Sequence, residues 1–150
     1  MAFQQTSILV AVDDSESATR ALDFALEMAK TLRLPVRIVH ATKPKSGQSG
    51  EVHTLDFEEV REQQPKSPEN RIAVDVLERA LTQAREHSVS VQPVLLSGDP
   101  AEALLRYAAE CDRPMLVVGR RGLGRLQGLL MGSVSDKTVQ LANCPVTVIH

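Results

Sequence analysis

Residues 115–135 read MLVVGRRGLGRLQGLLMGSVS. The stretch opens with four unbroken apolar residues, Met115 to Val118. That is too short for a helix and lacks polar alternation, the pattern of a strand buried on both faces of a sheet. Gly119, Gly122, Gly124, Gly128 and Gly132 follow, five of the chain's eight glycines. After them an apolar period near 3.6 begins, with Val134, Thr138, Leu141 and Ala142 on one stripe. A buried strand, a glycine-rich turn and a helix are the closing half of a βαβ unit. Glycines let backbone amides approach a ligand closely, and consecutive amides form an anion-binding nest. The helix start adds unpaired N–H groups and a dipole equivalent to about half a positive charge. Ser133, read as the helix cap, adds a hydroxyl. Phosphate is the natural guest; the alternative is a surface turn in which the glycines only bend the chain.

Working outward, five strand-like runs alternate with helical stripes: Ile8–Val12, Val36–Ala41, Val89–Leu96, Met115–Val118 and Val146–Ile149. The helices show apolar stripes through Ala18, Ala21, Leu22, Ala25, Ala29 and Leu32, through Ala73, Leu77, Ala80, Leu81 and Ala84, and through Leu104, Leu105 and Ala108. Asp99-Pro100-Ala101-Glu102 and Ser67-Pro68 mark helix starts by an acceptor followed by proline. Strands separated by helices predict crossovers and a parallel sheet. The expected fold is Rossmann-like α/β: an open parallel five-stranded sheet with helices on both faces. The first and fourth runs are wholly apolar and belong at the centre. Pro93 lacks a ladder donor, which places the third run at an edge. These points give the order 3-2-1-4-5 for the runs in chain order. Residues 1–150 form one domain with no internal repeat. Residues 42–66 are a long polar connection, with a short amphipathic helix expected over His53–Glu62.

In an open parallel sheet, ligands bind beyond the carboxyl ends of the strands where the strand order reverses. That point lies between the first and fourth runs. Asp13 ends the first and Gly119 ends the fourth, so an acidic residue and the glycine nest face one crevice. Asp13 there accepts from ribose hydroxyls or, in the alternative, Asp13, Asp14 or Ser15 caps the first helix. Arg120, Arg121 and Arg125 add cations beside the nest. Neither GxxxxGK[ST] nor a GxGxxG after the first strand is present, which excludes the P-loop and the dinucleotide fingerprint.

Composition narrows the function. The net charge of −2 argues against a generally basic nucleic-acid binder, and with no Trp, one Tyr and three Phe there is little to stack bases on. No apolar run approaches the roughly 18 residues of a membrane span, and the N-terminus lacks the features of a signal peptide. The expectation is a cytoplasmic protein without nucleic-acid or membrane partners. His40, His53, His87 and His150 show no metal-binding spacing, so no metal ligand is expected, and any divalent ion would be Mg²⁺ carried on phosphates. Cys111 and Cys144 form no CxxC and read as small packing residues.

The spacing Gly119-x2-Gly122-x9-Gly132-Ser133 resembles the ATP-binding motif of the universal stress protein family. Residues 8–22 (ILVAVDDSESATRAL), 95–108 (LLSGDPAEALLRYA) and 117–149 resemble further parts of that family, so the likeness covers nearly the whole chain. It implies ATP in the crevice between the first and fourth strands. It also implies nucleoside contact from Asp13, adenine contact from the backbone at Ala41, and phosphate contact from Gly119, Gly122, Gly132 and Ser133 with the amides of Val134 and Ser135. Arg120 falls in the variable pair after the first glycine. A homodimer joined through the last strand is implied as well. The resulting expectation is an ATP-holding stress-response module without catalytic residues. A slow ATP hydrolase or nucleotidyl transferase is the alternative, disfavoured because no Glu or His lies between residues 119 and 132. A nucleotide-free interaction protein ranks last because the glycine motif is intact.

Overall fold

The computed structural model describes residues 5–44, 50–120 and 131–150. The elements run β1 (Ser7–Ala11), α1 (Glu16–Leu32), β2 (Val36–Thr42), β3 (His53–Leu55), α2 (Phe57–Glu62) and α3 (Pro68–Ala84). They continue with β4 (Val91–Ser97), α4 (Pro100–Glu110), β5 (Pro114–Gly119), α5 (Ser133–Leu141) and β6 (Val146–Ile149). One sheet has the order β3-β4-β2-β1-β5-β6. All pairings are parallel except that of β3 with β4.

Two interior strands, β1 and β5, show why the sheet is covered on both sides. Ile8, Leu9 and Val10 of β1 are all fully buried. Their alternate side chains enter opposite cores: Ile8 and Val10 pack under α1 and α3, while Leu9 packs with Leu104 and Ala108 of α4. In β5, Met115 and Val117 join the first core, and Leu116 and Val118 the second. Period-two alternation between two apolar layers is what an unbroken apolar strand requires.

The expected order of the five runs holds, but the sheet has a sixth strand. The connection over residues 42–66 contributes both β3 and α2, with β3 antiparallel along the end of β4. The Pro93-bearing strand is therefore not the edge. Ser90 O accepts from Val36 N–H, and Gly98 N–H donates to Thr42 O. Even-numbered residues of β4 thus bond to β2, and the nitrogen of Pro93 faces the other side. There β3 reaches only Leu95, Leu96 and Ser97. Pro93 sits in an interior strand without removing a ladder bond, because the added strand stops short of it.

The helix starts follow the chemistry of their caps. Ser15, Ser67 and Asp99 each accept from an amide in the first turn. Ser133 departs from expectation: Gly132 occupies the cap position, Ser133 is the first helical residue, and among the described residues no side chain caps α5. Leu32 and Leu141, assigned to apolar stripes, are exposed at the last turns of their helices.

Candidate functional site

The end of β1 is held from two sides. Val12 N–H donates to Val39 O at 2.8 Å, and His40 Nδ1 lies 2.8 Å from Val12 O. A carbonyl oxygen only accepts, so Nδ1 carries the proton and the neutral ring leaves Nε2 as an acceptor. Burial pushes the His40 pKa below its usual 6.5, against the opposing pull of the Val12 carbonyl and the Asp13 charge.

Asp13 follows directly. Its Oδ1 accepts from Ser15 N–H at 2.9 Å and from Ser15 Oγ at 2.5 Å. Ser15 Oγ in turn accepts from Ala18 N–H at 3.1 Å. The choice among Asp13, Asp14 and Ser15 is thereby resolved: Ser15 caps α1, Asp13 orients Ser15, and Asp14 pairs with Arg79 of α3 at 2.7 Å. Asp13 and Asp14 line a groove between the start of α1 and the middle of α3, with Arg79 and Gln83 opposite.

At the end of β5 the glycine has a packing reason. A Cβ on Gly119 would lie 2.5 Å from Ser17 Oγ and 2.8 Å from the Ser17 carbonyl carbon and oxygen. The first turn of α1 sits on the strand where a side chain would otherwise be. Beyond it, Arg120 N–H donates to Ile149 O at 2.6 Å, and Arg120 O accepts from Gly132 N–H at 2.7 Å. The chain thus leaves at Arg120 and returns at Gly132 through one bond. Buried Ser135 tightens this stem, its Oγ donating to Gly119 O at 2.5 Å and Arg120 O at 3.1 Å. The first bond within α5 is Asp136 N–H to Gly132 O. By helix geometry, the N–H groups of Ser133, Val134 and Ser135 have no partner further up the helix. Gly132 has ordinary extended backbone (φ −72°, ψ 162°), so no left-handed turn accounts for glycine there.

Register brings these pieces to one place. Ala11 pairs with Val39 and Val10 with Val117, so carrying both registers forward sets Asp13 level with Ala41 and with Arg120. Those residues stand at the carboxyl ends of three adjacent strands, and the stem bond from Arg120 ties α5 to the same row. Gly122 lies outside the described residues, as do Arg121, Gly124, Arg125 and Gly128. Sequence reading missed His40, Ser17 and the role of Ser135. A single histidine in a strand carries no motif, and the two serines act through contacts distant in sequence. Among the described residues, no group of three or more His, Cys, Asp or Glu side chains is placed to hold a metal ion, and no helix is long and apolar enough to cross a membrane.

An open, mostly parallel sheet with helices on both faces and a strand-order reversal between β1 and β5 defines a doubly wound α/β protein. The model of the universal stress protein family matches residues 6–150, and the chain belongs to that family. It is 32% identical over 149 residues to the universal stress protein YxiE of Bacillus subtilis, covering 95% of this chain and 97% of that one. It also resembles the universal stress protein of Archaeoglobus fulgidus in complex with dAMP, at 26% identity and a TM-score of 0.70, over 97% of this chain and 98% of the other. A universal stress protein in complex with cAMP matches at 27% identity and a TM-score of 0.67, over 97% of both chains.

Proposed function

We propose that the chain binds an adenine nucleotide, ATP in the first instance, in the crevice between β1 and β5, and serves as a nucleotide-dependent module in the cytoplasmic stress response. The observation that carries this reading is the row of Asp13, Ala41 and Arg120 beside the N-terminus of α5. In it Asp13 keeps one carboxylate oxygen on Ser15 and offers the other to ribose hydroxyls. The backbone at Ala41 meets adenine. The phosphates rest on the N–H groups of Ser133, Val134 and Ser135, where the dipole of α5 favours negative charge. Gly132 gives its own N–H to the stem, so its part is to leave room for the phosphates. Gly119 and Gly122 are read as phosphate contacts from the glycine motif, and Arg120 supplies a positive charge. Any Mg²⁺ would arrive with the phosphates. The complexes of related stress proteins with dAMP and cAMP support an adenine ligand. The test is to denature freshly purified protein and identify the released nucleotide by mass. An adenine nucleotide near one per chain supports the reading, and its absence after incubation with ATP refutes it.

Two copies pair through β6 in the same reading. Among the described residues β6 bonds only to β5, leaving its outer edge open, and Val139 and Leu141 of the neighbouring α5 are exposed. An apolar open edge is what a second strand covers.

A further inference from the structure

At the opposite end of the sheet from the crevice, Arg37 of β2 pairs with Leu9, Leu9 with Leu116, and Leu116 with Val146. These residues share one face, and Leu9, Leu116 and Val146 belong to the apolar core under α4. Arg37 is half-buried at the border of that core. Its NH1 lies 2.8 Å from Cys111 Sγ, and the guanidinium stacks over the Tyr107 ring at 5.9 Å from the centroid. Among the described residues no carboxylate lies within 4.0 Å of it. The polar groups beside this charge are the Cys111 sulfur and the Tyr107 side chain, and a positive charge next to a thiol favours its reactive, deprotonated form.

Cys144 lies close by. Leu116 N–H donates to Pro145 O at 2.9 Å, which sets Cys144 beside the start of β5, and Cys111 is three residues before that start at Pro114. Both cysteines are half-buried, both are free thiols, and both pack on the same core. Burial raises the Cys144 pKa, and the charge of Cys111 raises it further, so Cys144 keeps its proton at neutral pH.

We propose that Cys111 and Cys144 form a peroxide-reactive thiol pair, with Cys111 attacking and Cys144 resolving. Cys111 Sγ, which accepts from Arg37 NH1, releases its proton to solvent and attacks the terminal oxygen of a peroxide. The S–O bond forms as the O–O bond breaks, and the alcohol or water leaves with a proton from solvent. Cys111 is then a sulfenic acid, oxidised by two electrons while the peroxide is reduced. Cys144 attacks that sulfur, its proton joins the departing hydroxide as water, and the Cys111–Cys144 disulfide remains. The inference is independent of the nucleotide site.

The test treats the reduced whole chain with hydrogen peroxide at pH 7.5 and reads intact mass and peptide maps. The expected product is about 2 Da lighter, with Cys111 linked to Cys144 in one chain, and a dithiol reverses it. In Cys144→Ser, Cys111 halts as a sulfenic acid captured by dimedone; in Cys111→Ser, Cys144 stays unmodified. Arg37→Gln slows the oxidation of Cys111 roughly tenfold, whereas Arg37→Lys, which keeps the charge, retains most of the rate. Urea unfolding confirms that each variant is folded before its rate is read. Cross-links only between chains, Cys111 reacting no faster than Cys144, or a folded Arg37→Gln oxidising at the unaltered rate would each overturn the proposal.

Discussion

His40 donates its Nδ1 proton to the carbonyl oxygen of Val12 across 2.8 Å, bonding a ring on β2 to the last residue before Asp13. Through this contact the turn that carries the acidic residue is fixed by the neighbouring strand. Burial lowers the His40 pKa below 6.5, so the unfolded chain binds the proton more readily than the folded one. The stability held by neutral His40 is complete above about pH 6.5 and is lost as the pH falls below it. Thermal unfolding between pH 7.5 and 5 is expected to show this loss. His40→Asn, whose amide can give the same bond without titrating, is expected to flatten that part of the profile. An unchanged acid slope in the variant would assign it to other groups.

Gly119→Ala sets a methyl group against Ser17. The contacts at 2.8 Å are to backbone atoms, which cannot rotate away. Overpacking of this kind costs about 1–3 kcal/mol, read as a lower urea midpoint. Adding Ser17→Ala removes only the hydroxyl contact, so the double variant is expected to stay destabilised. Full recovery would mean that the side chain, and not the helix backbone, requires glycine.

Ser133 and Ser135 separate by function. Ser135→Ala removes a buried hydroxyl from the Gly119 and Arg120 carbonyls, at a cost of roughly 1–2 kcal/mol. Ser133 is exposed at the first position of α5, and Ser133→Ala is expected to change stability by less than about 0.5 kcal/mol. Its effect falls on ATP affinity, with adenosine affinity unchanged. Equal losses for ATP and adenosine would remove Ser133 from the phosphate site.

Much of this was legible in the sequence because it is local. Unbroken apolar runs at Ile8–Val12 and Met115–Val118 placed two interior strands, and Asp99-Pro100 and Ser67-Pro68 marked two helix starts. What escaped is long-range. The pairing of His53–Leu55 with β4 depends on where Pro93 turns its missing donor, which the register alone decides. The glycine at 119 read as a ligand contact, but the structure adds a packing reason from α1, whose first turn occupies the space. The cap of α5 passed from Ser133 to Gly132 because the bond to Arg120 fixes where the helix begins.

The open edge of β6 can be tested at one atom. The carbonyls of Pro145 and Ile149 accept from Leu116 and Arg120, so odd-numbered residues of β6 face β5 and Val148 points its N–H outward. Val148→Pro therefore removes an edge donor while sparing the bonds to β5. Light scattering is expected to find twice 16.4 kDa for the unaltered chain and 16.4 kDa for the variant. A monomer in both, or a dimer in both, would move or remove the interface.

Nucleotide binding at the β1/β5 switch point is tested most directly by thermal unfolding with and without ATP. A ligand at 100 times its Kd adds about 2.7 kcal/mol, and each kcal/mol raises Tm by roughly 2–4 °C in a domain of this size. Saturating ATP is expected to raise Tm by several degrees, and Gly132→Val, which fills the space before α5, to abolish the rise. A Tm unmoved by millimolar ATP in protein first stripped of bound nucleotide, or a rise that survives Gly132→Val undiminished, would contradict the account.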